Sequence, residues 1–233
     1  MRRLLIAQLV IVAICLWAVG ELAANFPYPA PLIRPFLTPK LRWPTAEIKG
    51  WVNAENYPSG FLEYFARDPH RTIPAGVNMV APSDGQVQAI LHHNGISYLV
   101  IGLSFWDVHV IRAPAAGTVT GLAEEGIWLD RGNKSRASMM NAILEGGKDA
   151  PVQQIITFQT RFGPLKVHMI TSYWASRLKV WVYRGQQIAK GQRIGRILLG
   201  STTVLEAPGD PTFVVKPGQR VVGGETIVYR KGE

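Results

Sequence analysis

From Leu4 to Gly20 the chain is almost unbroken apolar sequence, interrupted by Gln8, closed by Glu21 and preceded by Arg2 and Arg3. A bilayer-crossing helix needs about 17 to 25 such residues and a signal-peptide core fewer. The pattern therefore predicts an N-terminal membrane anchor over residues 1–25. The leading arginines would hold the N-terminus in the cytoplasm if the segment spans fully, whereas Arg34, Lys40 and Arg42 beyond it leave a shallow insertion open. Pro27, Pro29, Pro31, Pro35, Pro39 and Pro44 then argue against a regular helix or central strand. Residues 26–59 read as a stiff linker and lead-in, with one helix expected around Phe61 to Ala66.

From Arg67 onward the pattern changes to short β-type runs separated by Gly, Pro and Asp turns. This predicts a mainly β domain, a β-rich α+β fold, over residues 60–233. Asn78 to Ile90 reads strand, turn, strand, and its Ala81-Pro82-Ser83-Asp84-Gly85 phrase is echoed by Ala113-Pro114-Ala115-Ala116-Gly117. A clearer repeat joins Gly185 to Ile194 with Gly218 to Ile227, 33 positions later. Paired glycine turns, each leading into a short apolar strand, predict a sandwich barrel of repeated hairpins resembling lipoyl- or biotinyl-type units. No lysine hairpin suited to lipoyl attachment accompanies it. The β pattern breaks over Leu129 to Lys148, where Ser135 to Leu144 predicts a short amphipathic helix. Its Arg131, Lys134 and Arg136 beside Met139, Met140, Ile143 and Leu144 suit a lipid surface or the flank of the barrel.

The 233 residues can build one substantial domain, or two small ones, with ample material for a core. A formal net charge of +9 favours an anionic partner. Without a dense Lys/Arg run interleaved with aromatics, nucleic acid is the weaker choice and anionic membrane lipid the better one. Cys15 is the single cysteine, so neither an intrachain disulfide framework nor a cysteine zinc site is expected, and no metal is assigned.

Two stretches carry candidate chemistry. Leu199-Gly200-Ser201-Thr202 lies between two runs of strand formers; by itself such a step is a turn or bulge, and the functional alternative is Ser201 attacking the carbonyl of Gly200. Phe105 to Arg112, read as a strand, would turn Phe105, Asp107, His109 and Ile111 to one side. An acid beside a histidine serves either a satisfied core residue or a general base. Asp84 in an Asp-Gly turn is a further carboxylate candidate, although that pair is favoured in turns for its own sake. His168 reads as structural and His92-His93 as turn residues.

Asp84 in Ala-Pro-Ser-Asp-Gly, His109 in Phe-Trp-Asp-Val-His-Val-Ile-Arg-Ala-Pro and Leu199-Gly200-Ser201-Thr202, together with Phe65 to Pro74, resemble in order and spacing the short form of the phosphatidylserine decarboxylases. The resemblance covers about residues 60–233. It implies a self-processing proenzyme cut between Gly200 and Ser201 into a β chain ending at 200 and an α chain over 201–233. Ser201 would become a pyruvoyl group, a ketone that takes the substrate amine as a Schiff base and accepts the electrons released with carbon dioxide. His109 would be the general base and acid, oriented by Asp84. The activity implied is a carboxy-lyase converting phosphatidylserine to phosphatidylethanolamine at a cell membrane in phospholipid biosynthesis. The partners are the lipid itself, the two chains of one proenzyme as a heterodimer, and, left open, a homo-oligomer. Long bacterial members carry a second histidine where this chain has Arg112, so a two-histidine mechanism does not transfer. The Val167 to Ala175 segment also lacks the Ala-Gly and paired arginines of short members. Alternatives are a decarboxylase of another serine-headed lipid such as archaetidylserine, or a non-catalytic sandwich-barrel adaptor on a membrane stalk.

Overall fold

The computed structural model describes residues 2–25, 36–126, 152–171, 177–198, 201–209 and 211–230, without the side chains of 2–5, 20–25, 177 and 201. The amphipathic helix expected over Ser135 to Leu144, the proline run up to residue 35, and Gly200 lie outside the described residues. The chain divides into two compact units, Met1–Ile48 and Lys49–Glu233.

In the first unit, helix α1 covers Arg2–Asn25 and α2 covers Pro39–Arg42. The described side chains of α1 include Leu9, Ile11, Leu16 and Trp17, all at least 60% exposed. Among the described residues no helix is long and apolar enough to cross a membrane. Pro39 opens α2, where its missing N–H is one that a helix start leaves unpaired in any case. The proline run thus carries a short helix that its composition argued against.

Helix α3, Thr45–Ala54, spans the boundary, and α4 is Ser59–Ala66. Phe61 and Phe65, one turn apart, form the buried stripe of α4, and Phe61 also meets Trp51 of α3 with ring centroids 5.3 Å apart.

The strands follow as β1 Asn78–Val80, β2 Gly85–His93, β3 Ile96–Leu103, β4 Val110–Arg112, β5 Gly117–Glu125, β6 Gln153–Thr160, β7 Gly163–Ile170, β8 Arg177–Val180, β9 Gln187–Ile188, β10 Arg193–Leu198, β11 Ser201–Pro208, β12 Arg220–Val221 and β13 Ile227–Arg230. The fold is mainly β. Eight strands lie in the order β12-β2-β3-β11-β7-β6-β5-β9, three in the order β4-β10-β8, and β1 pairs with β13. Strand alternation explains the burial. Leu99, Ile101 and Leu103 of β3, Leu165, Val167 and Met169 of β7, and Leu205 of β11 enter the main core with Phe158 and Ile111. Their neighbours Val100, Ile170 and Val204 gather into a second cluster.

The internal repeat is a hydrogen-bonding repeat as well. Gly185 donates its N–H to Val119 O and Val119 returns one to Gln186 O, while Gly218 donates to Val87 O and Val87 returns one to Gln219 O. Gly191 donates to Ala113 O, and Gly224 to Ala81 O. Each Ala-Pro phrase is therefore clasped by its own glycine turn. Gly185 and Gly218 sit at φ 91° and 85°, the left-handed region where a side chain is costly.

Two sequence expectations differ from the structure. His92 and His93 end β2, and the turn is made by Asn94 and Gly95. Of Phe105 to Arg112 only the last three residues are strand. The Asp107 carboxylate accepts hydrogen bonds from both the N–H and the hydroxyl of Ser104, each at 2.7 Å, and folds residues 104–107 into a turn that an extended chain would not permit.

Gly195 of β10 lies so close to its neighbours that an added Cβ would stand 2.6 Å from the Lys179 carbonyl oxygen of β8 and 3.0 Å from Met169 Sδ. Gly195→Ala is expected to push β8 and β10 apart and lower unfolding free energy by about 1 to 3 kcal/mol, read as the urea midpoint. An unchanged midpoint would show that the small sheet accommodates the extra methyl.

Candidate active site

His109 is completely buried at the end of the loop that joins β3 to β4. Its Nδ1 lies 2.8 Å from the backbone oxygen of Asp107. A carbonyl only accepts, so Nδ1 carries the proton and Nε2 the lone pair, the tautomer that a general base requires. Phe65 of α4 stacks on the ring at a centroid distance of 4.1 Å. Burial, opposed by the hydrogen bond to Asp107 O and the Asp107 charge and assisted by Arg67 and Arg196, lowers the His109 pKa to about 4. The imidazole is neutral at physiological pH.

Asp107 itself is 5% exposed. Burial works to raise its pKa, but bonds from Arg220 and Ser104 outweigh that and leave it below the ordinary value. The carboxylate thus stays charged and shapes the loop, while its main-chain oxygen orients the histidine.

The strands on either side of the expected scissile bond are tied to the two ends of this loop. Ile197 of β10 donates its N–H to His109 O at 3.1 Å. Ser201, the first residue of β11, pairs with Leu103, the last residue of β3, and Thr202 pairs with Ile170 on the other side. The chain thus leaves the small sheet beside His109 and joins the large sheet beside the loop's other end. Of Ser201 the backbone alone is described, and Gly200 lies outside the described residues.

Asp84 sits elsewhere. Both of its carboxylate oxygens lie 2.9 Å from Arg71 Nη2, and Oδ1 also accepts the N–H of Gly223 at 2.8 Å. The orientation of His109 expected from Asp84 is supplied by the Asp107 carbonyl, because the Asp84 carboxylate is engaged by a guanidinium. Arg112, in place of a second histidine, is buried, pairs with Asp68 and donates to Gly191 O at 3.0 Å. His168 of β7 lies between Gln153 Oε1 and Glu206 Oε2, 2.9 Å from each, a buried polar link between strands.

The segment 67–71 acts as a strap over the loop. Arg67 donates to Trp106 O and, at 2.9 Å, to Tyr64 O; Asp68 pairs with Arg112 and Arg193; Arg71 pairs with Asp84. Arg196 of β10 donates to Ala66 O at 2.9 Å at the end of α4. Arg67 and Arg196 were not assigned roles from sequence, although the run Arg67-Asp68-Pro69-His70-Arg71 packs three ionic residues and a histidine ahead of the first strand and was open to such a reading. The charges of Arg67 and Arg196 help to keep the histidine neutral, against that of Asp107.

A family model described as phosphatidylserine decarboxylase matches residues 59–229. The chain belongs to the phosphatidylserine decarboxylase family. It is 35% identical over 172 residues to a phosphatidylserine decarboxylase proenzyme of Solibacter usitatus, covering 73% of this chain and 79% of that protein. The same shares are covered at 36% identity over 180 residues with the phosphatidylserine decarboxylase proenzyme of Carboxydothermus hydrogenoformans. A third relative, 32% identical over 170 residues and covering 73% of this chain and 78% of its own, is named "Putative archaetidylserine decarboxylase proenzyme" in Archaeoglobus fulgidus. The matched region of the family takes in α4, the strap, β1 to β12 and all but the last residue of β13.

Because folding depresses the His109 pKa from 6.5 to about 4, the unfolded chain binds this proton first as pH falls. The histidine's contribution to stability is complete above the unfolded value and declines towards the folded one. Between about pH 7 and pH 5 wild type is expected to lose about 2 kcal/mol that His109→Gln does not lose, measured by urea unfolding. Parallel losses in the two proteins would mean that His109 is not held neutral by the fold.

Proposed function

We propose that the chain is a self-cleaving proenzyme whose mature form decarboxylates phosphatidylserine to phosphatidylethanolamine, with the decarboxylase domain over residues 60–233. The observation that carries this reading is the tethering of β10 and β11 to opposite ends of the His109 loop, Ile197 to His109 and Ser201 to Leu103. Family membership supports it, as do the names of the relatives.

In the cleavage step, Nε2 of His109 takes the Ser201 hydroxyl proton as Oγ attacks the Gly200 carbonyl, and the amide becomes an ester. Removal of the Ser201 Cα proton then expels the Gly200 carboxylate and leaves dehydroalanine at 201. Its tautomer takes up one water and releases ammonia. The product is a pyruvoyl group at the head of β11. Glycine at 200 leaves the attacked carbonyl unobstructed by a side chain.

The two products stay one folded body, since β11 lies between β3 and β7, β12 pairs with β2, and β13 with β1. This pairing supports the β–α heterodimer expected from the sequence. The two related hairpin pairs support the finer likeness to a lipoyl-type sandwich barrel.

The residues present fit a pyruvoyl group: position 201 pairs with Leu103 of β3, its neighbour Thr202 pairs with both Gly102 and Ile170, and Arg67 and Arg196 suit a substrate that carries a carboxylate and a phosphate. When formed, that group supplies an electron sink for loss of carbon dioxide. His109 then holds the proton that replaces the carboxylate, and burial by Phe65 excludes water from it. Arg71 and Asp84 hold the strap that positions Arg67. Helix α1, with its exposed apolar side chains, is the proposed membrane anchor. Relatives named for archaetidylserine favour a second reading in which the head group is retained and the tails differ.

Purified wild type is expected to run as two fragments meeting between Gly200 and Ser201, Ser201→Ala as one whole chain, and only the former to release carbon dioxide from carboxyl-labelled phosphatidylserine. An uncut, folded wild type would favour the adaptor. Removal of residues 1–25 is expected to shift the protein from the membrane to the soluble fraction; unchanged partitioning would take the anchoring role away from α1.

A further inference from the structure

Strand β8 and its extension run Leu178-Lys179-Val180-Trp181-Val182-Tyr183-Arg184 along the edge of the three-stranded sheet. One set of alternate residues packs inward: Val182 is part of the main core, and Leu178 and Val180 rest against it. The other set, Lys179, Trp181 and Tyr183, therefore faces out. Lys179 is exposed, Trp181 is 36% exposed and Tyr183 is 68% exposed, with the exposed Arg184 at the turn that follows. An outward strand face on a water-soluble surface is ordinarily polar. This one carries two large aromatics among cations.

The strip adjoins the site already described. Arg196, the cross-strand partner of Lys179, sits with its guanidinium carbon 5.4 Å from the centre of the Trp181 ring and donates to Ala66 O of α4. One turn back on the face of α4 that bears Ala66 stands Leu62, 40% exposed. Phe65 of the same helix stacks on His109. The Arg196 Nε is buried without a hydrogen-bond partner. An unmet donor beside an exposed tryptophan is a place where an anionic group would be held.

We infer that the Lys179-Trp181-Tyr183-Arg184 edge, with Leu62, docks on the head-group layer of an anionic phospholipid bilayer and delivers the lipid to Arg196 and His109. Tryptophan and tyrosine settle at the polar–apolar boundary of a bilayer because each has an apolar body and a hydrogen-bonding tip. Lysine and arginine add attraction to anionic head groups within a Debye length. The excess of basic residues in the whole chain points the same way. The inference deepens the proposed function and rests on its lipid substrate.

The test uses the full chain with Trp181→Ala and Tyr183→Ala combined, and separately with Lys179→Glu. The substrate is given in two forms, phosphatidylserine in mixed phosphatidylserine–phosphatidylcholine vesicles and dihexanoyl phosphatidylserine dissolved as monomers. Both variants are expected to cleave themselves normally, to decarboxylate the dissolved lipid at the wild-type rate, and to lose roughly tenfold or more on vesicles. Hydrogen exchange over residues 177–186 of wild type is expected to slow on phosphatidylserine vesicles and to stay unchanged on phosphatidylcholine vesicles. Equal rates on vesicles, equal losses on both substrate forms, or protection of 177–186 by self-association in the absence of lipid would overturn the docking surface. If wild type decarboxylates neither form, the proposed function falls, and exchange protection still decides whether the edge meets the membrane.

Discussion

The passage of the chain from one sheet to another is the constraint on which the site depends. Strand β10 belongs to the small sheet and β11 to the large one, and the proposed cleavage bond, between Gly200 and Ser201, falls in the step between them. A crossover of this kind would be an ordinary sheet corner if its two ends were free to drift. They are not, because Ile197 donates its N–H to His109 O at the end of the 104–109 loop, and Ser201 pairs with Leu103, the strand residue just before that loop. The loop is itself braced by Asp107 on Ser104 and by Arg67 on Trp106. The ends of β10 and β11 are thus held to the flanks of the loop that carries the buried imidazole.

The electrostatics of the site follow from that burial. A histidine buried against Phe65 is held neutral chiefly by that burial, with help from the charges of Arg67 and Arg196, so it is poorly disposed to keep a proton. An anionic ligand near Arg67 and Arg196 would offset their charge and make the imidazole more basic. The ion pairs of Asp68 and Asp84 with Arg112, Arg193 and Arg71 lie on the strap, whereas the Asp107 charge opposes the effect of Arg67 and Arg196 on the imidazole.

Much of the fold was legible because repeats and alternation are local properties. The glycine turns at 185 and 218 announced themselves by composition, and their clasps on Val119 and Val87 confirm one another. Helix α4 was readable from its paired phenylalanines. What the sequence did not disclose is set by long-range partners. Asp84 had no local sign that Arg71 would claim it, and the turn at Ser104 arises from a side-chain bond that competes with an apparently good strand pattern. The outward aromatics of β8 were present as plain alternation, but an alternating run gives no hint of which face is covered until the core is assembled. The candidate residues themselves came from an ordered set of motifs, no one of which stands alone.

The central claim is that the backbone breaks at one serine and leaves a ketone in place of an amine. Intact mass spectrometry of the smaller fragment of the purified wild-type protein tests it most directly. The account predicts a fragment 201–233 that is lighter by one ammonia than the unmodified peptide and has no free α-amino group. A fragment of full peptide mass with serine at its N-terminus, or folded protein that yields no such fragment, would contradict it.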